Sequence, residues 1–198
     1  PKRRFLGNAA LSFFTKIVSG YWHVADSQTG YTAINRKALG VLLRAGIYKR
    51  FGMPNDVLVK LNVHNFRVRD VPVQPVYNVG EASKLKIPKV VLPISALLIR
   101  LFFYRMWHKY VVRDTHPLVL FYAVSFLLLP LGFALAAIIA AGRLVLPHLL
   151  GSTAALTVMM RGLASDGIIQ LSALFILMGM QMLLFAMWFD MADNQHLR

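Results

Sequence analysis

Two uncharged runs constrain this chain more than any other feature. Residues 117–142 and 167–189 contain no Lys, Arg, Asp or Glu. Each is long enough to cross a hydrocarbon layer of about 30 Å at about 1.5 Å per residue. A backbone in that layer must satisfy its own polar groups, so both runs are expected to be helices. Together they predict a transmembrane hairpin. The run between them, 144–160, is shorter and interrupted by Pro147, His148 and Gly151. It reads as a loop, an interfacial piece or a re-entrant segment rather than a third span.

Charge divides the chain in the same place. Residues 1–115 hold 19 of the 22 Lys and Arg and 5 of the 8 acids, a net of +14. Residues 116–198 hold three of each sign. The basic half is expected on the cytoplasmic side, and a hairpin returns the C-terminus there too. That places the protein in the cell (inner or plasma) membrane with both termini inside. Apolar runs beside the basic half point to anionic lipid or phosphate ligands rather than nucleic acid. There is no cysteine, so disulfides and thiolate metal sites are excluded. The chain opens on proline without a signal-peptide pattern, and is expected to be processed or cut from something longer.

The basic half reads as short elements. Residues 5–22 form an amphipathic helix, with Asn8, Ser12, Thr15 and Ser19 on one face and Gly20 at its end. It suits either a core or a bilayer surface. Residues 35–48 read as a helix capped by Asn35, and 53–65 as a second, with Asn55 or Asp56 at its start. Residues 66–77 alternate as a strand, confined to an edge by Pro72 and Pro75. Residues 78–88 read as a basic loop. Residues 89–113 are apolar with spaced cations, and Pro93 is expected to split them. Arg105, Lys109 and Arg113 fall within about 80° of arc, as snorkelling cations would at a membrane interface. Gln170 and Gln181 are expected to face the other membrane helix.

Three polar groupings can carry chemistry, each beside a plainer reading. Asp26, Gln28, Thr29, Gly30 and Tyr31 offer donors, acceptors and close backbone approach for a sugar or phosphate; the same residues make an Asx-type turn. Asp56, beside Asn55, can take a proton from a hydroxyl acceptor, or the pair can simply cap a helix. Ser83 and Lys84, near Glu81 and Lys86, can hold a diphosphate, or form a solvated loop facing anionic lipid. The six histidines show no metal-ligand spacing.

The order "DSQTGYTAINRKAL", "GMPNDVLVKLNVHNFRVRDVPVQPVY", "GEASKLKI" and then "HPLVLFY" opening a span resembles the family-2 glycosyltransferases. The likeness covers residues 1–135. It is nearest to membrane-attached, polyprenyl-phosphate sugar transferases of the dolichyl-phosphate mannose synthase type. The resemblance implies an α/β fold, the C-terminal part of a GT-A-type nucleotide-sugar transferase domain, with interfacial helices and the hairpin. It implies a catalytic part at 1–88, an interfacial segment at 89–115 and a membrane domain at 116–198. Asp56 would be the general base, or a positioning group for a phosphate nucleophile. Asp26, Thr29 and Gly30 would lie near the acceptor, and Ser83 and Lys84 near the donor diphosphate.

The resemblance further implies a nucleotide-sugar donor, a lipid-linked acceptor and a divalent cation, Mg or Mn, in the complete enzyme. The family's Asp-x-Asp metal motif is absent from this sequence, so no metal ligand is expected in this chain. The chain is therefore expected to be the C-terminal part of such an enzyme and inactive in isolation. The alternative is a non-catalytic anchor or assembly partner that binds anionic lipid. The uncharged spans argue against an ion pathway.

Overall fold

The computed structural model describes residues 2–27, 31–72, 87–113, 115–145, 158–159, 162 and 165–198. Their regular structure is helical. Helices α1 (Lys2–Ser19), α2 (Arg36–Ala45), α3 (Met53–Val63) and α4 (Ile87–Arg105) precede a π-helical stretch, Met106–Arg113. Helix α5 (Leu118–Ala140) ends in a second π-helical piece, Ala141–Val145. Helix α6 (Asp166–Asp193) closes in a 3₁₀ turn, Asn194–Leu197. The chain divides into two compact units, residues 1–116 with 190–198, and residues 117–189.

The α/β expectation is corrected: no strand occurs among the described residues. The part of 66–77 that is described, 66–72, is irregular. A strand needs a neighbour for its backbone groups, and here other partners take them. The Tyr21 hydroxyl donates to the Phe66 carbonyl at 2.5 Å. His23 Nε2 lies 2.7 Å from the Val68 carbonyl, and the Val68 N–H donates to the Leu197 carbonyl. Pro72 removes a donor besides.

In the first unit, α1 packs on α3 and α4, and α2 on α3. Its core gathers Tyr21, Val24, Ala38, Leu42, Leu61 and Leu197. Asn35 caps α2 as expected, its Oδ1 accepting from the Ala38 N–H at 2.8 Å. Helix α3 differs: Gly52, at φ 106°, precedes it, so Asn55 and Asp56 lie inside the helix and not at its cap. Helix α4 runs through Pro93 unbroken. Of the polar stripe of α1, Thr15 and Ser19 are buried, while Phe13 and Phe14 are exposed.

The second unit is a hairpin of two helices long and apolar enough to cross a membrane. At about 1.5 Å per residue, the 23 residues of α5 span about 35 Å. Small residues let the backbones approach. A side chain on Gly132 would meet Ile176, and one on Gly179 would meet Leu129. Ser172 donates across to the Gly132 carbonyl at 3.0 Å. Gln170 and Gln181 are exposed, contrary to expectation; the interhelical polar contact is made by the shorter serine, which fits a close crossing. Leu120, Leu127, Leu177 and Leu184 are exposed on the outer faces.

Candidate functional site

Asp56 sits at the start of α3, where the turn after α2 folds back over it. One carboxylate oxygen accepts from the Tyr48 N–H at 2.9 Å and from Lys60 Nζ at 2.7 Å. Lys60 also donates to the Gly46 carbonyl. Asp56 is buried, and its ion pair with Lys60 spans one helical turn. Asn55 is buried as well but faces α1, its Oδ1 lying 3.1 Å from the Thr15 hydroxyl. The two neighbours therefore point to different partners. Asp26 is exposed in the loop after Val24, a loop fastened by Asp70, which accepts from the Ala25 N–H at 2.6 Å. Gln28, Thr29, Gly30, Ser83 and Lys84 lie outside the described residues.

A larger polar cluster lies between α1, α3, the end of α4 and the C-terminal residues. Arg105 pairs bidentately with Asp190, Nη1 at 2.7 Å from Oδ1 and Nη2 at 3.0 Å from Oδ2. Arg105 also donates to the Ile17 carbonyl at 2.8 Å. Asp190 further accepts from Trp22 Nε1 at 3.2 Å and from the Tyr110 hydroxyl at 2.8 Å. Lys109 donates to Asn194 Oδ1 at 2.6 Å and lies 3.6 Å from Asp193. Asn62 Nδ2 donates to the same Asn194 oxygen at 2.7 Å, and the Asn194 amide donates to the Tyr110 hydroxyl at 2.8 Å.

This corrects the reading of Arg105 and Lys109 as snorkelling cations. Arg105 and Lys109 are buried, whereas Arg113 is exposed and donates to the Val63 carbonyl at 2.8 Å. The π-helical stretch after Arg105 widens the helix, and Met106, Lys109 and Tyr110 are buried from it. The signal available in the sequence was "DMADN", where Asp190, Asp193 and Asn194 share one helical face directly after an uncharged run.

Burial pushes the Tyr110 hydroxyl far above its usual range, and Asp190 adds to it. Burial also raises Tyr21. Burial lowers Lys109 from its usual 10.5 to about 8, against the pull of Asp193. Between those two values the unfolded chain holds the Lys109 proton more firmly than the folded protein. Stability should therefore rise with pH above about 8. Above about 10 the unfolded chain also ionises its tyrosines, and the buried Tyr21 and Tyr110 reverse the trend. Thermal unfolding in detergent micelles should give a melting temperature that climbs from pH 8 and then falls. Lys109→Met should flatten the climb; an unchanged profile would show that Lys109 does not cause it.

Among the described residues, no three of His, Asp and Glu lie close enough to hold a metal ion. The two charged clusters do different work: the one around Asp56 holds a turn, and the one around Asp190 holds the C-terminal residues against three helices. No protein-family model matches the chain, and no solved structure matches it. Over 77 residues it is 32% identical to the UDP-N-acetylglucosamine--dolichyl-phosphate N-acetylglucosaminyltransferase of Methanococcus voltae. The similarity covers 39% of this chain and 30% of that protein, so the chain spans less than a third of the length of the curated relative it matches. The chain is thus a distant, partial glycosyltransferase homologue with two possible membrane helices.

Proposed function

We propose that this chain forms the membrane and acceptor-side part of a glycosyltransferase. The enzyme would move a sugar from a nucleotide-sugar donor to a lipid-linked acceptor such as polyprenyl phosphate, at the cytoplasmic face of the membrane. The partial identity with the N-acetylglucosaminyltransferase carries this reading, because its name specifies a UDP-sugar donor and a dolichyl-phosphate acceptor. The two apolar helices support a lipid-borne acceptor, and the excess of Lys and Arg in residues 1–115 supports the cytoplasmic placement.

In this reading residues 1–88 belong to the catalytic part and 89–115 form the interfacial layer. An acceptor phosphate oxygen attacks the anomeric carbon of the donor. The bond from that carbon to the nucleoside diphosphate breaks, and the diphosphate leaves with the electron pair. A phosphate is already a nucleophile, so Asp56 serves to position rather than to deprotonate. Asp26, Gln28, Thr29, Gly30 and Asn55 lie on the acceptor side, and Ser83 and Lys84 hold the diphosphate. A divalent cation bound by the complete enzyme would supply charge neutralisation at the leaving diphosphate.

The test uses membranes carrying the full reading frame that contains this chain. They are incubated with polyprenyl phosphate and radiolabelled UDP-N-acetylglucosamine or another nucleotide sugar. Label should pass into the organic extract. Asp56→Ala should reduce it by about 100-fold, the loss expected when a reacting group is misplaced, without loss of membrane insertion. Asp56→Asn keeps an acceptor for the Tyr48 N–H and removes the charge that pairs with Lys60, so it separates the carboxylate's charge from its hydrogen bond. No transfer from any donor would leave the anchor reading, which one observation favours: both charged clusters are paired internally. Turnover unchanged in both variants would remove Asp56 from the reaction.

A further inference from the structure

In the hairpin, the last turns of α5 and the first turns of α6 leave an open cleft of about 420 Å³ between them. Ala136, Ala140, Ala173 and Ser172 line it, flanked by isoleucines at 139, 169 and 176. Arg143 stands at one end. The volume lies within the range of about 300–1,000 Å³ usual for small-molecule sites. The lining is hydrocarbon, and the one charged lining group is a cation.

Arg143 follows the uncharged run directly, where a helix that crosses the hydrocarbon layer is expected to reach the headgroups. Its ion pair with Asp166 is long, at 3.4 Å, and side-chain exposure is 48% for Arg143 and 92% for Asp166. A pair so exposed contributes little. A phosphate suits a guanidinium, since it accepts two of its donors side by side. The short alanine side chains leave room along the cleft for a flexible chain of methylene groups, and the isoleucines add apolar lining. We propose that the cleft binds one hydrocarbon chain of an anionic membrane phospholipid whose phosphate pairs with Arg143. The site is separate from the residues assigned to sugar transfer, and it stands or falls without them.

The test is native mass spectrometry of the full-length protein in detergent, titrated with phosphatidylglycerol or with phosphatidylcholine. Phosphatidylglycerol should bind the wild type preferentially. Ala173→Phe fills the cleft and should weaken binding by about tenfold or more. Arg143→Gln should remove the preference for phosphatidylglycerol while leaving chain binding in place. Ala137→Phe, on an exposed position of α5 outside the cleft, should bind as wild type does. Arg143 is half exposed, so its variant decides the headgroup contact even where Ala173→Phe does not fold. Wild-type affinity and preference in Arg143→Gln would overturn the proposal. So would efficient disulfide cross-linking between two copies carrying Ala140→Cys, which would show that a second copy fills the cleft.

Discussion

Replacing Asp190 by alanine should destabilise the protein by about 3–5 kcal/mol, the loss expected when one member of a buried ion pair is removed. The pair with Arg105 has no exposed side-chain surface on either partner. Asp190 also accepts from Trp22 and Tyr110. Its removal strands a guanidinium in a site closed to water and takes an acceptor from the Trp22 indole, the Tyr110 hydroxyl and the Asn194 amide. Thermal unfolding followed by circular dichroism in detergent micelles measures the loss. Asp166→Ala is the reference, because Asp166 is exposed, and it should change stability by less than about 0.5 kcal/mol. The joint variant Arg105→Met with Asp190→Leu should recover most of the loss, since a buried pair exchanged for apolar side chains is often neutral. A single variant within about 1 kcal/mol of wild type would mean that water reaches the guanidinium.

What could be read from the sequence was whatever depends on neighbours along the chain. The hairpin was legible because a long uncharged run has few alternatives to a buried or membrane helix. The Asn35 cap was legible because the bond it makes reaches only three residues ahead. The Asp190 cluster was not, because its partners lie 80 or more residues away in the chain. Without them, three cations at four-residue spacing look like an interfacial row, and burial turns two of them into the centre of a polar core. Residues 66–72 failed for a similar reason. Their alternation suits a strand, but distant side chains and the Leu197 carbonyl hold the backbone instead. Of the site residues, Asp56 and Asn55 are buried at α3 and held by local partners. Transfer assays of the Asp56 variants separate a positioning role from a purely structural one.

Gly20→Ala should be nearly as damaging as the loss of Asp190, for a reason that joins backbone and charge. Gly20 ends α1 with its N–H donating to the Lys16 carbonyl at 2.8 Å and its φ at 76°. A left-handed backbone costs a residue with a Cβ about 1–2 kcal/mol. Space is the larger difficulty. A Cβ here would collide with the Arg105 guanidinium and come within 3.0 Å of Asn62 Nδ2 and 3.1 Å of Asn194 Nδ2. The end of an arginine side chain usually moves aside at little cost, but this one is fully buried and fixed by Asp190 and the Ile17 carbonyl. Moving it breaks the bidentate pair, so the total loss should reach about 3 kcal/mol or more. The same substitution in the Arg105→Met, Asp190→Leu background should cost less, chiefly the backbone strain of about 1–2 kcal/mol, with the closer Asn62 and Asn194 contacts unchanged. The difference between the two backgrounds is a coupling energy between the helix terminus and the ion pair. Equal losses in both would mean that the backbone conformation alone requires glycine, and that α1 and the Arg105 pair are held in place independently.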